Sequence, residues 1–337
     1  MSGYTPPYTL TPLMVELVAE IGEILGKISP GEEERTRPHL RRDNRIRTVQ
    51  ASLSIEGNTL SLEQVTAVLA GKRVLGTPIE IQEVRNGFAA YEQLDTWQAS
   101  NPDDLCRAHG ILMAGLLDQP GQFRTGSVGI KRQGELIYIA PPAERVPTLL
   151  RELLAWLAST DLHPLVAGSV LHYELEFIHP FMDGNGRLGR LWQTLVLGRW
   201  RPLFFLIPIE TVVHDRQDEY YLALRNSDAE GSATRFVEFM LSAILTACEE
   251  LRTPQVAPQV TPEVKKLLKI MDGPLDRRSL QQKLGLKAEK NFRLLYLRPA
   301  LEAGLIEMTI PDKPRSSKQQ YRLTRAGKTL VAEIIKK

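Results

Sequence analysis

The sequence predicts an all-α, mainly helical protein with one β-hairpin and a separate basic module at its C-terminal end. Three observations carry that reading. Apolar residues return at helical spacing through most of the first 250 positions. The rhythm breaks once, at 127–139, where SVGI and LIYI flank the Gly-containing turn KRQGE. Charge is also divided: residues 261–337 carry 11 Lys and 7 Arg against 8 Asp and Glu, a net +10, which with a whole-chain charge of +2 leaves the first 260 residues at −8.

Composition excludes several classes. A chain of 337 residues, 43% hydrophobic and 24% charged, has room for two or three globular domains. No apolar run approaches the ~20 residues of a membrane span, and MSGYTPPYTL lacks the basic-then-apolar order of a signal peptide, so the expectation is a cytoplasmic protein with no membrane partner. Cys106 and Cys248 stand far apart without clustered histidines, which points to neither a disulfide framework nor a zinc site.

Taken in order, the opening to Pro12 reads as extended, and Met14, Leu17, Val18, Ile21 and Leu25 then mark an amphipathic helix. After SPGEEERTRP a second helix, about 44–57, places Ile46, Val49 and Leu53 on one face and ends at Gly57–Asn58. Glu56 falls in its last turn, facing the negative end of the helix dipole at a cost of about 0.3–1 kcal/mol. Ser52 lies one turn earlier on the same face. Ser61 and Gln64 have capping-box spacing for the next helix; 79–97 reads as a long helix and 102–117 as another. His109, among apolar neighbours in the latter, reads as a satisfied core histidine and is left out of the site. The 127–139 hairpin is either a surface excursion or an edge that receives an extended peptide.

Residues 179–190, HPFMDGNGRLGR, join two helices. Val166, Val170, Tyr173 and Phe177 stripe the first, which Pro180 stops; Leu188, Leu191, Trp192, Leu195 and Val196 stripe the second. Glycines let successive amides converge, and the second helix offers its N-terminal N–H groups to an anion. His179 can accept a proton, Asp183 can hold Mg²⁺ beside phosphate oxygens, and Arg187 and Arg190 can fork onto phosphate. The set suits nucleotide phosphate transfer.

HPFMDGNGRLGR resembles the HPFx(D/E)GNGRxxR signature of Fic-domain proteins, which typically transfer AMP from ATP to a hydroxyl of a target protein. GQFRTGSVGI, PPAERVP and DEYYLAL extend the likeness over roughly 105–245. The resemblance implies a helical bundle with a hairpin flap: a catalytic domain at 101–250 behind an N-terminal helical region at 1–100. It implies His179 as general base, Asp183 as Mg²⁺ ligand, and Gly184, Asn185 and Gly186 as an anion nest. Arg187, Leu188, Gly189 and Arg190 complete the phosphate site, with Arg190 meeting the γ-phosphate. Flap residues Leu136, Ile137, Tyr138 and Ile139 would align a target and contact nucleotide. Tyr220 and Tyr221 would border adenine, although both fit a core equally well. Glycine rather than the lysine of Doc-type kinases at 186 implies adenylyl rather than phosphoryl transfer. Ser52, Glu56 and Gly57 match the family's [S/T]xxxE[G/N] inhibitory motif, in which Glu56 would pair with Arg190 and exclude the γ-phosphate. ATP and Mg²⁺ are thus the expected substrate and cofactor, with a target protein, self-modification and a homodimer among the partners considered.

Residues 251–261 read as a proline-containing linker. From 262 to 337 the order helix, helix, helix, hairpin, helix is that of a winged helix-turn-helix, with Lys290, Arg293, Arg315 and Lys318 available to phosphates. Such modules bind DNA or protein, so a DNA-binding regulator whose Fic domain senses nucleotide is the alternative to an adenylyltransferase. Transfer of another nucleotide, phosphocholine transfer and deadenylylation also stay open.

Overall fold

Proline at the first turn starts α1 (Pro12–Gly26), and the same device recurs along the chain. The structure, a computed structural model, describes residues 4–27, 38–132, 135–252, 262–286, 291–309, 316, 319–324, 327–328 and 330–331, the side chains of 38–41, 129–139, 251–252, 262, 294 and 302 excepted. It divides into two units, Met1–Arg252 and Thr253–Lys337.

The first unit is helical apart from one hairpin. After α1 come α2 (Pro38–Ile55), α3 (Leu62–Leu69), α4 (Pro78–Glu92) and α5 (Pro102–Leu112), then β1 (Gly129–Arg132) and β2 (Glu135–Ile139). They are followed by α6 (Val146–Ser159), α7 (Pro164–Ile178), α8 (Asn185–Trp200), α9 (Ile209–Asp215), α10 (Gln217–Glu230) and α11 (Thr234–Arg252). Thr11, Thr77 and Asn101 cap the helices whose next residue is proline, and Ser61–Gln64 and Thr77–Glu80 both form capping boxes.

α7 and α8 form the central pair. α7 is buried almost all round from Leu165 to Leu175, and α8 from Arg187 to Leu195, as the two innermost helices of a bundle must be. α11 and α6 flank α7, α1 lies on α11, and α2 packs on α4 and α9. Trp192 is fully buried, stacks on Trp97 at 5.9 Å and donates its ring N–H to the Ala99 carbonyl at 2.9 Å.

Two expected helices are shorter than their apolar patterns. α4 stops at Glu92, and a 3₁₀ turn at Leu94–Thr96 follows. There Arg199 donates to the carbonyls of Asp95 and Trp97 and holds the turn. α5 stops at Leu112 rather than 117: the Asn86 amide takes the carbonyls of Leu112 and Ala114 at 3.0 and 2.8 Å, and Gly115 turns with φ +72°. Conversely α2 begins at Pro38, ahead of position 44.

The second unit holds α12 (Pro262–Lys269), β3 (Leu275–Asp276), α13 (Arg277–Lys283), a π-helical turn at Phe292–Leu297, α14 (Arg298–Glu302), β4 (Ile306–Met308) and β5 (Gln320–Leu323). Its sheet order is β3-β5-β4, antiparallel throughout, with Met308 and Leu275 both opposite Tyr321. Val264, Leu267, Leu280, Phe292 and Ile306 form its core. The third helix expected in this module is a π-turn leading into α14, because Pro299 has no N–H and its ring crowds the carbonyl four residues back. Arg293 is exposed; Lys290, Arg315, Lys318 and most of 251–261 lie outside the described residues.

The N-terminal segment straps the first unit. The Tyr4 hydroxyl donates to Glu174 at 2.9 Å, Ala233 N–H to the Pro7 carbonyl at 2.8 Å, and Thr11 hydroxyl to Glu238 at 2.8 Å. Burial pushes the Glu174 carboxyl up to about 7, the Tyr4 bond opposing. The folded value exceeds the unfolded one, so the charging penalty is absent below the unfolded pKa, grows as pH rises above it, and is complete once pH has passed through the folded value near 7. Glu174→Gln is expected to gain stability over the parent by about 3 kcal/mol between pH 4.5 and pH 8. Urea unfolding of both proteins across that range checks it; a pH-independent difference contradicts it.

Candidate active site

His179 ends α7 in the left-handed conformation (φ 49°, ψ 61°), the one non-glycine residue with positive φ among those described. Pro180 disfavours helix at this position, and the turn redirects the chain toward α8. The half-buried imidazole has Nδ1 3.3 Å from the Glu176 carbonyl oxygen; an N–H donating there leaves Nε2 as the basic nitrogen. Arg124, only 3% exposed, donates Nε to the His179 carbonyl at 2.7 Å and Nη2 to the Pro141 and Ile178 carbonyls at 2.5 and 3.3 Å. Its Nη1 reaches the Gly126 carbonyl at 2.9 Å. One guanidinium therefore ties both flanks of the hairpin to the carbonyl of His179.

The loop from Phe181 to Gly184 is held from inside. Asn185 is buried; its Oδ1 accepts Phe181 N–H and its Nδ2 donates to Phe181 C=O, both at 2.9 Å. Its side chain thus serves the loop, while its backbone opens α8. His109 is fully buried, stacked on Phe181 at 3.7 Å and 6°, with Nδ1 accepting Gly121 N–H at 2.8 Å and Nε2 2.9 Å from the Asp183 carbonyl. Burial, aided by Arg187, lowers its pKa to about 4 against the pull of that carbonyl. Asp183 is exposed, its Oδ1 accepting Gly184 N–H at 2.6 Å and its Oδ2 3.5 Å from Arg187 Nη2.

Arg187 and Arg190 project from the first two turns of α8, and each meets a carboxylate from far upstream. Arg187, buried, donates Nη1 to Glu83 of α4 at 2.9 Å, and its Nε is buried without a hydrogen-bond partner. Glu83 also accepts from Asn58 at 2.8 Å. Arg190, 3% exposed, donates Nη2 to Glu56 at 2.6 Å and to the Ser52 carbonyl at 3.0 Å, and Nε to the Ser52 hydroxyl at 3.0 Å. Burial works against its charge, but Glu56, then Tyr220 and Glu176, raise its pKa well above the ordinary value. A Cβ on Gly186 would run into Glu56 Oε1, so the glycine makes the seat for that carboxylate. Behind Ser52, the Tyr91 hydroxyl donates at 2.8 Å to buried Glu210, which Thr194 also bonds.

The structure thus gathers His179, Asp183, the 184–186 backbone, Arg187, Arg190, Ser52 and Glu56 around the start of α8. Gly57 follows with φ +92°. Leu188 is buried in the core, and Gly189 leaves space for His172 and Glu176, whose atoms lie 2.7 and 3.3 Å from a Cβ position. Tyr220 is 1% exposed, its ring among Phe236 and Phe239 and its hydroxyl 3.2 Å from His172 Nε2; in this arrangement it belongs to the core. Half-buried Tyr221 donates to the Ile55 carbonyl at 3.2 Å. The flap pairs Leu136 with Lys131 and Tyr138 with Ile130; the side chains of Leu136, Ile137, Tyr138 and Ile139 lie outside the described residues. Glu83, Asn58 and Arg124 escaped the sequence reading, since an arginine bonded to carbonyls or a glutamate a hundred residues from its partner leaves no local pattern; His109, read as a core histidine and left out of the site, is buried as expected but bonds the Asp183 carbonyl. Among the described residues no three His, Cys, Asp or Glu gather as a metal cage. One exposed carboxylate, Asp183, beside a phosphate site nevertheless fits Mg²⁺, which takes one or two protein oxygens and completes its shell with phosphate and water.

With this geometry in hand, the chain matches the Fic/DOC family over 99–197 and the Fic-like C-terminal domain (filamentation induced by cAMP protein) over 262–324. It is similar to a Fic family protein from Desulfovibrio desulfuricans G20 of known crystal structure, at 55% identity over 96% of this chain and 99% of that one, TM-score 0.73. Fic-1 of Caenorhabditis elegans aligns at 25% identity and TM-score 0.57 over 71% of this chain and 70% of that one. In curated sequence, the protein adenylyltransferase fic-1 of C. elegans is 31% identical over 205 residues, 57% of this chain and 38% of the relative. The protein adenylyltransferase Fic of Aedes aegypti is 28% identical over 228 residues, 62% of this chain and 43% of the relative. The chain thus spans about two fifths of the length of those relatives.

Truncating the Asn185 clamp leaves a buried N–H and a buried C=O of Phe181 without partners. Asn185→Ala is expected to lower the unfolding free energy by about 2–4 kcal/mol. Denaturant unfolding of the two proteins checks this; a loss below about 0.5 kcal/mol contradicts the clamp.

Proposed function

The chain belongs to the Fic family, and from that membership we propose that it is a protein adenylyltransferase. It moves AMP from ATP onto a Ser, Thr or Tyr hydroxyl of a target protein and of itself, and is restrained by its own Glu56. The observation that carries this reading is the convergence at the start of α8 of a base, a run of amides and two arginines, one of them engaged by Glu56 at 2.6 Å. The names of the curated relatives support the reaction class.

Each group then has a defined task. Nε2 of His179 removes the proton from the target hydroxyl. The hydroxyl oxygen attacks the α-phosphorus, the bond from that phosphorus to the α–β bridging oxygen breaks, and pyrophosphate leaves. The amides of 184–186 and the positive end of α8 face the charge on the transferring phosphoryl, a preorganised donor set of the kind that carries most of such barriers' reduction. Asp183 would hold Mg²⁺, which when bound neutralises phosphate charge. Arg190 would take the γ-phosphate. With Glu56 in place, that guanidinium is already satisfied and a second anion there meets a carboxylate, so ATP binds with its triphosphate out of line.

The basic charge of 261–337 favours one further role, contact with nucleic acid; duplex binding that falls steeply with salt supports it, and no binding at low salt removes it.

Removing the Glu56 carboxylate is expected to raise adenylylation about 10–100-fold, the effect of losing a charged competitor worth roughly 1.4–3 kcal/mol. His179→Ala in that background should lower the rate by about 10²–10⁴. Transfer from ATP labelled at the α-phosphate reads both. Equal rates for Glu56→Gly and parent contradict the restraint, and transfer that survives His179→Ala contradicts the base.

A further inference from the structure

The peptide between Asp183 and Gly184 has two possible orientations, and local backbone sterics do not choose between them. Gly184 sits at φ +82°, and a glycine tolerates either sign of φ, so the plane can flip without a Cβ penalty. Orientation matters because a trans peptide points its C=O and N–H in opposite directions, and Gly184 N–H is the first amide at the start of α8. With the carbonyl turned toward α5, that N–H faces the site, where it meets Asp183 Oδ1 at 2.6 Å.

The group that holds the carbonyl is His109. Its Nδ1 accepts Gly121 N–H at 2.8 Å, so the proton of the neutral ring must sit on Nε2, 2.9 Å from the Asp183 oxygen. The ring has no freedom to turn: it is 0% exposed, lies flat on Phe181 at 3.7 Å, and its Nε2 would be 3.4 Å from a Cβ on Gly184. A histidine with one nitrogen committed as acceptor is a donor of fixed direction.

We propose that His109 is a positioning residue for nucleotide binding. Its Nε2–H fixes the Asp183–Gly184 peptide so that the Gly184 amide faces the phosphates and the Asp183 carboxylate stays on the same side. The proposal rests on the nucleotide reading above, and it concerns the triphosphate alone, since adenosine offers that amide nothing to bind.

Gln and Met have nearly the same length and volume, but only Gln carries an N–H donor. His109→Gln and His109→Met are therefore compared in the full chain carrying Glu56→Gly, by calorimetric titration with Mg·ATP and with adenosine. The Gln variant should keep ATP affinity within about threefold, the Met variant should lose about 10–30-fold, and adenosine should bind both alike. Equal ATP affinity of the two variants, or parallel losses of ATP and adenosine, would overturn the proposal. ¹⁵N NMR of the Glu56→Gly protein gives a readout independent of folding of the Met variant: the His109 ring should be the neutral Nε2–H tautomer, and an Nδ1–H tautomer or an imidazolium at pH 7 overturns it. If Glu56→Gly binds no ATP, the nucleotide reading falls and this inference with it; ATP binding without a Gln–Met difference sinks this inference only.

Discussion

A guanidinium with 3% of its surface exposed needs an anion, and much of the first unit is arranged around giving Arg190 one. Burying an unpaired cation costs several kcal/mol, so the position on α8 is strongly favoured by a partner of opposite charge. Here the partner is Glu56, with both polar groups of Ser52 taking two further donors. α2 therefore docks against the candidate site, and its face against α9 and α4 carries the last turn to Arg190. The negative charge at the end of α2, unfavourable for the isolated helix, is offset by this pair. The same demand for an anion is what a triphosphate would satisfy, and on the proposed reading restraint and substrate binding are two solutions of one electrostatic requirement.

Around that pair, several side chains bond to backbone. Asn185 closes the loop on Phe181, Arg124 collects the carbonyls of Gly126, Pro141, Ile178 and His179, and His109 takes the carbonyl of Asp183. A loop made of Asp, Gly, Asn and Gly has little shape of its own, because glycine enlarges its conformational choice. Buried donors with satisfied partners supply the shape instead. The residues that can touch phosphate are thus few, and those that make them converge are drawn from α5, the segment before the hairpin, and α8 itself.

How much of this was legible in the sequence follows the range of the interactions. The motif 179–190 is local, so its base, carboxylate, glycines and arginines could be read in order, and the helix–loop–helix junction with them. Ser61–Gln64 and the hairpin strands were legible for the same reason. Helix ends were not: α5 stops because Asn86, 26 residues away, takes its last carbonyls, and no periodicity records that. The Glu83–Arg187 pair spans 104 residues and was invisible. Glu56 stood out as a misplaced charge at a helix end, with Ser52 one turn earlier, but their joint role came from the resemblance. His109 is the instructive case: buried and satisfied, as a core histidine should be, yet the group that satisfies it is the carbonyl of the site's own carboxylate residue.

Closing of the α2 end has a consequence for time. The Ile55 carbonyl accepts from both Gln217 and Tyr221 of α10, and the amides of Glu56, Gly57 and Asn58 are bonded back to Leu53 and Ser54. The backbone that carries Glu56 is therefore anchored on both sides of it, while its side chain hangs on one charged hydrogen bond. On the proposed reading, in which Glu56 restrains transfer, this makes a gate one side chain wide. Opening it would take rotation about the χ angles of a single glutamate, a nanosecond event for an unhindered chain, and not unfolding of a helix or swinging of a domain. The resting population of the open state is then set by the strength of one ion pair, and anything that weakens that pair acts without moving the fold.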